Sequence, residues 1–204
     1  VDRNLAGAEE TCQLMEGTDQ DSTAMSVDIS KIGQVEKMVS DSVTMFGKLN
    51  VLVNGAAILI RTPSLAEVDE LDWDLTMDTN LKGLFLCCKY AIPAMVSSGG
   101  GSIINIASVA GMRGIGYSVP YAVSKAGVAH LSRVAGVQYA GQGIRVNAVC
   151  PGLLWTSLWQ SIGEWKSSTD EEHTGMTPRQ VFERAVSDMV PLAREQTPED
   201  VGNA

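Results

Sequence analysis

Tyr121, Lys125 and Ser108 have the types and spacing to handle a proton. Tyr121 and Lys125 stand four residues apart in a stretch of helical periodicity, which puts both side chains on one face. A phenol ionises near pH 10 and is a poor acid or base at neutral pH. An ammonium a few ångströms away favours the phenolate and lowers that value, so the pair is a candidate general acid/base. Ser108 ends a strand-like run before that helix, where its hydroxyl can donate to a carbonyl or alkoxide oxygen. Asn80 lies inside a long helical pattern, a position mildly unfavourable to Asn unless its amide has a specific partner. A Tyr and a Lys at this spacing are, by themselves, most often ordinary helix surface. The combination carries the reading.

Other chemistries are poorly supplied. The chain has 204 residues, with Lys+Arg 15 against Asp+Glu 24 and a formal net charge of −9. No basic cluster suited to nucleic acid is present. No Asp or Glu falls between Asp78 and Glu164, so paired-carboxylate hydrolysis has no material in the middle of the chain. His130 and His173 are the only histidines and no GxSxG occurs, which removes the usual serine triad. Cys12, Cys87, Cys88 and Cys150 form neither CxxC nor a metal-ligand spacing, so no metal is expected and the expected setting is reduced and cytoplasmic. No apolar run approaches the roughly 18 residues of a membrane span.

The elements that must position these side chains alternate. Helical patterns cover Leu5 to Met15, then Ser30 (as N-cap) to Phe46 with Gly47 closing, Leu71 to Met95 ending near Pro93, and Pro120 to Ala140. Between them lie apolar strand-like runs at Ala24–Val27, Leu49–Val53, Ser102–Ala107 and Ile144–Val149. The continuous apolar character of Leu49–Val53 reads as a strand buried on both faces. Such alternation predicts an α/β fold, a doubly wound parallel sheet in three α/β/α layers forming one domain. Leu153 to Leu192 follows as an irregular or helical segment, and Pro198 opens a further helix.

In such sheets ligands bind at the carboxyl ends of the strands. The residues there are Asp2, Asp28, Asn54-Gly55-Ala56-Ala57, Ser108 and Pro151-Gly152. YAVSK (Tyr121–Lys125), Ser108 in INIAS, Asn80 in TNLKG, the Asn54 turn in LVNGAA and VCPGLLWT (Val149–Thr156) together resemble the short-chain dehydrogenase/reductase family, in its order and at its spacings. The resemblance implies a Rossmann-like fold and an NAD(P)-dependent oxidoreductase interconverting a secondary alcohol and a ketone. It implies Tyr121 as acid/base, Lys125 lowering its pKa and holding the nicotinamide ribose, Ser108 orienting the substrate oxygen, and Asn80 supporting a water-linked proton relay. It also places Asn54, Gly55 and Ala56 along the adenosine side, Asp28 and Ile29 beside the adenine, and Pro151, Gly152, Leu154 and Thr156 at the nicotinamide. Asp2 falls where a carboxylate accepts from a ribose 2′-OH and repels a 2′-phosphate, favouring NAD, with NADP possible because Arg3 follows. Asp28 equally suits a helix-capping role.

Ala57 stands where the family usually has Gly, which requires φ < 0 there. The family's glycine-rich first turn does not precede Asp2, and its last strand does not follow Pro198. The expectation is a fragment of a longer enzyme, incomplete at both ends, unstable and nearly inactive by itself. Trp155, Leu158, Trp159, Ile162 and Trp165 recur at helical spacing, facing either a substrate pocket or a packing partner. The scarcity of clustered Arg and Lys over Leu153–Leu192 favours a neutral alcohol or ketone. The apolar helices carrying Asn80 and Tyr121 fit a homo-oligomer, dimer or tetramer, as the family pairs them. A non-catalytic scaffold of the same fold and an NAD-dependent epimerase or dehydratase are the alternatives. The intact Ser108, Tyr121 and Lys125 disfavour the first, and the short chain disfavours the second.

Overall fold

The computed structural model describes residues 1–15, 17, 21–62 and 64–204. They form two compact units, Val1–Ala148 and Val149–Ala204. The first opens with α1 (Leu5–Leu14), α2 (Ile32–Phe46) and β1 (Val51–Asn54). Next, α3 (Glu70–Met77) runs through a π-helical stretch, Asp78–Gly83, into α4 (Leu84–Ser97). β2 (Gly101–Ile106), α5 (Val119–Tyr139) and β3 (Ile144–Val149) follow. The sheet order is β1-β2-β3, and β1 pairs in parallel with β2 from Val51 opposite Ser102 to Asn54 opposite Asn105. A parallel pair needs a crossover, and α3–α4 supplies it. The result is a Rossmann-like α/β fold with flanking helices.

Period-2 alternation sorts the sheet's faces. Leu52 packs with the cluster formed by Val27 and by Val35, Met38 and Val39 of α2 against Leu86, Cys87 and Ala91 of α4. Each buried Val, Met or Leu of this cluster contributes roughly 1.5–3 kcal/mol. Burial pushes the Cys87 thiol up to about 12 and the Cys88 thiol up to about 11, so both are neutral packing groups at physiological pH.

Several local expectations are corrected. Val51 and Val53 are 56% and 58% exposed, so β1 is not buried on both faces; Leu52 turns to the helices and its neighbours turn away. Ala24–Val27 is not an extended strand: Asp2 and Ser26 form an isolated parallel bridge. Ser30 does not cap α2. Lys31 is the N-cap, because the Ser30 amide and hydroxyl both donate to Asp28 Oδ1, at 2.9 and 2.7 Å. Pro93 does not end its helix either; α4 continues to Ser97, with Ala91, Ile92 and Met95 buried on either side of the proline. Gly47 does close α2, with φ 77.

The second unit contains α6 (Ser157–Thr169), α7 (Pro178–Met189) and the short α8 (Pro198–Gly202). A Cβ on Gly163 of α6 would sit 2.7 Å from Pro178 Cα, so the helices meet where only glycine fits. Trp159 and Ile162 are buried, and the Trp159 ring lies edge-on to Phe182 of α7 at 5.2 Å. That part of the tryptophan stripe faces its packing partner. Thr177 and Gln180 form a capping box that starts α7. No described helix is long and apolar enough to cross a membrane.

Candidate active site

The site grows from the end of β2. Ser108 caps a single 3₁₀ turn, Val109–Gly111, its Oγ accepting the Ala110 N–H at 3.1 Å. That turn is pressed onto α5: a Cβ on Gly111 would lie 2.5 Å from Ala126 N and 2.6 Å from Lys125 C. Ser108 is thereby held against the helix that carries its partners.

The start of α5 is fixed from the other side by residues 58–62. Thr62 accepts the Val119 N–H on Oγ1 at 3.2 Å, the Ser118 hydroxyl donates to the Ile60 carbonyl, and Thr62 N–H donates to the Tyr117 carbonyl at 3.0 Å. Asn80, 1% exposed within the π-helical stretch, clamps the same loop. Its Oδ1 accepts the Ile58 N–H at 2.8 Å, while Nδ2 donates to the Ile58 carbonyl at 2.8 Å and to Ser124 Oγ at 3.1 Å. The Ser124 hydroxyl in turn donates to the Tyr121 carbonyl at 2.7 Å, so Asn80 reaches the turn of α5 that carries Tyr121. This is the specific partner that an Asn in a helix interior needs.

Ser108, Tyr121 and Lys125 come together. The Ser108 side chain is close enough to the Tyr121 phenol to lower its pKa, and Lys125 Nζ lies 5.7 Å from the centre of the Tyr121 ring. Lys125 is 2% exposed and its ammonium donates to the Ile106 carbonyl at 2.7 Å, at the end of β2. The Tyr121 phenol is nonetheless pushed above its ordinary value by burial, with Ser108 pulling the other way. A net lowering is therefore not what the structure gives: removal of the phenol from water outweighs the lowering by Ser108, and Lys125 is not among the causes. Tyr117, which spacing does not single out, is also raised, by burial and by the proximity of Tyr121. It precedes the helix, so no helical-face argument places it beside Tyr121.

The residues expected on the adenosine side separate. Asp2, Arg3, Asp28, Ile29, Ala56 and Ala57 line one pocket of about 140 Å³. Asp2 Oδ1 accepts the Asn4 N–H at 2.9 Å. Asp28 is held below the usual carboxylate range by its hydrogen bond from the Ser30 hydroxyl, and its amide donates to Gln34 Oε1 of α2 at 2.7 Å. It thus organises the turn before the helix and faces the pocket as well. Ala57 has no positive φ, as its side chain requires. The Asn54 amide points elsewhere: it donates to Asn105 Oδ1 at 2.8 Å, and Asn105 donates to Ser132 Oγ at 2.9 Å. Asn54 is a buried tie between β1, β2 and α5. Gly55 follows it, with a Cβ position 4.0 Å from Ile106. Ligand pockets are typically about 300–1,000 Å³, so this space suits one end of a dinucleotide. Its apolar floor and the carboxylates of Asp2 and Asp28 match a nucleoside's flat base and hydroxyl donors.

Pro151, Gly152, Leu154 and Thr156 belong to the second unit. Gly152 N–H donates to Gln196 Oε1 at 2.6 Å, Leu154 bridges to Gln196, and Thr156 stands at the N-cap of α6. Gln196 is not legible as a partner from sequence, because nothing in the spacing joins it to Gly152. Among the described residues, Asp170, Glu172 and His173 offer potential metal ligands within 4.8 Å of one another. Asp170 is already bonded to His173 at 2.8 Å and Glu172 is paired with Arg184 at 3.4 Å.

Comparison with known proteins identifies the family. Residues 1–167 match the family model described as short chain dehydrogenase. An uncharacterized oxidoreductase of Thermotoga maritima is 42% identical over 143 residues, 70% of this chain and 56% of that protein. The 3-oxoacyl-(acyl-carrier-protein) reductase FabG of Staphylococcus aureus is 36% identical over 165 residues, 79% of this chain and 67% of its own length. The chain thus spans little more than half the length of the Thermotoga relative. A crystal structure of a tryptophan-substituted variant of actinorhodin polyketide ketoreductase with NADPH superposes with TM-score 0.90 at 30% identity, covering 99% of this chain and 76% of that one. With most of its length matched by the family model, and its fold shared nearly from end to end, this chain belongs to the short-chain dehydrogenase family of oxidoreductases.

Proposed function

We propose that the protein transfers hydride between NAD(P) and a secondary alcohol or ketone, with Tyr121 as the acid/base. The observation that carries this reading is the buried Lys125, anchored at the end of β2 with its ammonium 5.7 Å from the Tyr121 ring, on the helix against which the Ser108 turn is pressed. The family uses NAD(P). When bound, the nicotinamide supplies or accepts the hydride. The protein's own groups manage the proton: the Tyr121 phenol gives it to the substrate oxygen during reduction and takes it back during oxidation. The Ser108 hydroxyl donates to the same oxygen as negative charge develops there. Lys125, anchored on the Ile106 carbonyl, is the residue to hold the nicotinamide ribose. Asn80 keeps the 58–62 loop and the Tyr121 turn in register, which supports its place behind a proton relay. Relatives named as 3-oxoacyl and polyketide ketoreductases support a ketone as the reacting group. A nicotinamide-absorbance screen against ketones and alcohols tests the reading, and absence of turnover with every carbonyl class would defeat it.

The raised phenol has a directional consequence. Reduction needs the protonated form, so its rate should stay flat through neutral pH and fall only on the alkaline side. Oxidation needs the phenolate, so its rate should climb about tenfold per pH unit below the Tyr121 pKa. Ser108→Ala removes the hydroxyl that lowers the phenol's pKa. It should move both limbs to higher pH and lower turnover by about 10²-fold or more. Rate–pH profiles in both directions check this, and an unmoved limb contradicts the coupling.

The cofactor preference follows from Asp2, which lines the nucleoside pocket with Arg3. NAD is the proposed partner, because a carboxylate repels a 2′-phosphate. Asp2→Asn should shift the ratio of kcat/KM for NAD over NADP by about tenfold toward NADP, the effect of roughly one charge-assisted contact. An unchanged ratio would remove Asp2 from the assignment. A cytoplasmic location and a homo-oligomer complete the proposal. The latter is supported by an apolar groove of about 520 Å³ whose walls include Leu81, Phe85, Leu131 and Val134.

A further inference from the structure

We infer that Gln196 is a positioning residue that straps the segment Gly152–Thr156 in place, with the Arg179–Glu195 pair as a second anchor of the same strap. The functional consequence rests on the proposed nicotinamide chemistry, since that segment is the one the family resemblance puts at the nicotinamide. The contacts lie wholly within the second unit. Gly152 N–H donates to Gln196 Oε1 at 2.6 Å, Gln196 N–H donates to the Leu153 carbonyl at 2.9 Å, and Leu154 pairs with Gln196 as an isolated parallel bridge. One side chain and one amide of a single residue therefore satisfy main-chain groups of Gly152 and Leu153. A Cβ on Gly152 would approach Gln196 Oε1 to 3.2 Å, tighter than ordinary contact, so strap and segment lie directly against each other.

The neighbouring residue secures the same stretch by a different route. Glu195 grips Arg179 through paired bonds of 3.0 and 3.0 Å, and Glu183 takes the Arg179 Nε at 2.9 Å. Held on both sides, the guanidinium lies 5.1 Å from the centre of the Trp155 ring and 5.3 Å from that of Phe182. Residues 195–196 thus hold 152–154 by hydrogen bonds and Trp155 by a cation stacked on its ring. The strap is entered through Ala193, the one described non-glycine residue with positive φ, at 49°. An L-residue keeps such a conformation only where its surroundings over-determine it. The tie of Arg194 to Asp200 at 2.9 Å, followed by the bonds at 195 and 196, does so. The segment from Gly152 to Thr156 lies between β3 and α6 and belongs to neither, so its order comes from this external pairing. A binding segment that no helix or strand holds needs such support.

Substitution in the full chain tests the inference. Gln196→Leu keeps the main-chain bond and the approximate bulk but deletes the oxygen that Gly152 uses; Gln196→Ala does the same with less bulk; Gln196→Glu retains an oxygen. The readouts are NADH affinity by nicotinamide fluorescence, steady-state kcat and KM, melting temperature, and amide hydrogen exchange over residues 149–156. With Leu or Ala, NADH Kd and cofactor KM should rise about tenfold, kcat should fall less, and melting should hardly move. Exchange should accelerate at least about tenfold over 149–156 while α6 and α7 keep their protection, and Gln196→Glu should restore both readouts to within about threefold. Unchanged exchange and affinity in both truncations, or protection lost across the whole unit, overturns the inference. So does a failure of Gln196→Glu to restore either readout. Should the unsubstituted chain neither bind NADH nor turn over, the proposed chemistry falls, and the exchange measurement alone then decides whether Gln196 holds the segment.

Discussion

Tyr121→Phe is expected to lower turnover by about 10²–10⁴-fold, the range for losing a positioned general acid. NADH binding should remain within about threefold of the original value, because one hydroxyl is removed from a largely buried ring and the ring itself stays. The variant leaves Ser108 where it is, its Oγ still accepting the Ala110 N–H at 3.1 Å. Lys125 keeps its bond to Ile106 at 2.7 Å, which holds the ammonium whether or not the phenol is present. Paired measurements of steady-state rate and nicotinamide fluorescence check the split. Turnover within about threefold of the original would remove Tyr121 from the chemistry, and a parallel loss of binding would assign it to packing.

The second large effect is structural in origin. Gly111→Ala should cost about 3 kcal/mol of stability, at the upper end for overpacking. The added methyl would meet Ala126 N at 2.5 Å, Lys125 C at 2.6 Å and Lys125 O at 2.8 Å, all main-chain atoms of α5. A helix backbone cannot step aside as a flexible side chain does. Relief has to come from moving the Ser108 turn away from α5, which separates Ser108 from Tyr121 and Lys125. A displacement near 1 Å costs about 10²-fold in rate. Gly114→Ala is the matched control, because its Cβ would meet nothing within 4 Å. Denaturant melts and rates of the two variants decide the matter. Equal behaviour at 111 and 114 would mean that the turn is not pressed onto the helix.

The part of the site that is legible in sequence is the part written in local periodicity. Tyr121 and Lys125 share a helix face, and Ser108 ends a strand, so spacing alone brings them near one another. What spacing cannot show is the balance of forces on Tyr121: burial depends on what else closes over the phenol, and it reverses the pKa direction drawn from Lys125. Asn54 departs from its expected place for a related reason. Its partner Asn105, itself bonded to Ser132, comes from a distant part of the chain and draws the Asn54 amide into the interior. Ser30 shows competition at short range, where Asp28 takes the hydroxyl that would otherwise cap α2. The helical stripe through Trp159 and Ile162 is visible in the spacing, but whether it meets a ligand or Phe182 depends on where α7 lies. The class of fold is insensitive to these departures because alternation of strands and helices does not depend on any one of them.

The π-helical stretch carries a consequence for the phase of the long rod in which it sits. From Glu70 to Ser97 the helix is continuous, yet the widened turn at Asp78–Gly83 offsets the faces on its two sides. Rewinding that turn as ordinary α-helix with all its residues kept would rotate the downstream half by about 100°. Leu84, Cys87 and Ala91 would then swing out of their buried positions, and Phe85 and Lys89, now toward solvent, would be carried toward the interior. Asn80 therefore occupies a phase adjuster as well as a clamp: the wide turn that frees its amide for Ile58 also sets which stripe of α4 meets the sheet.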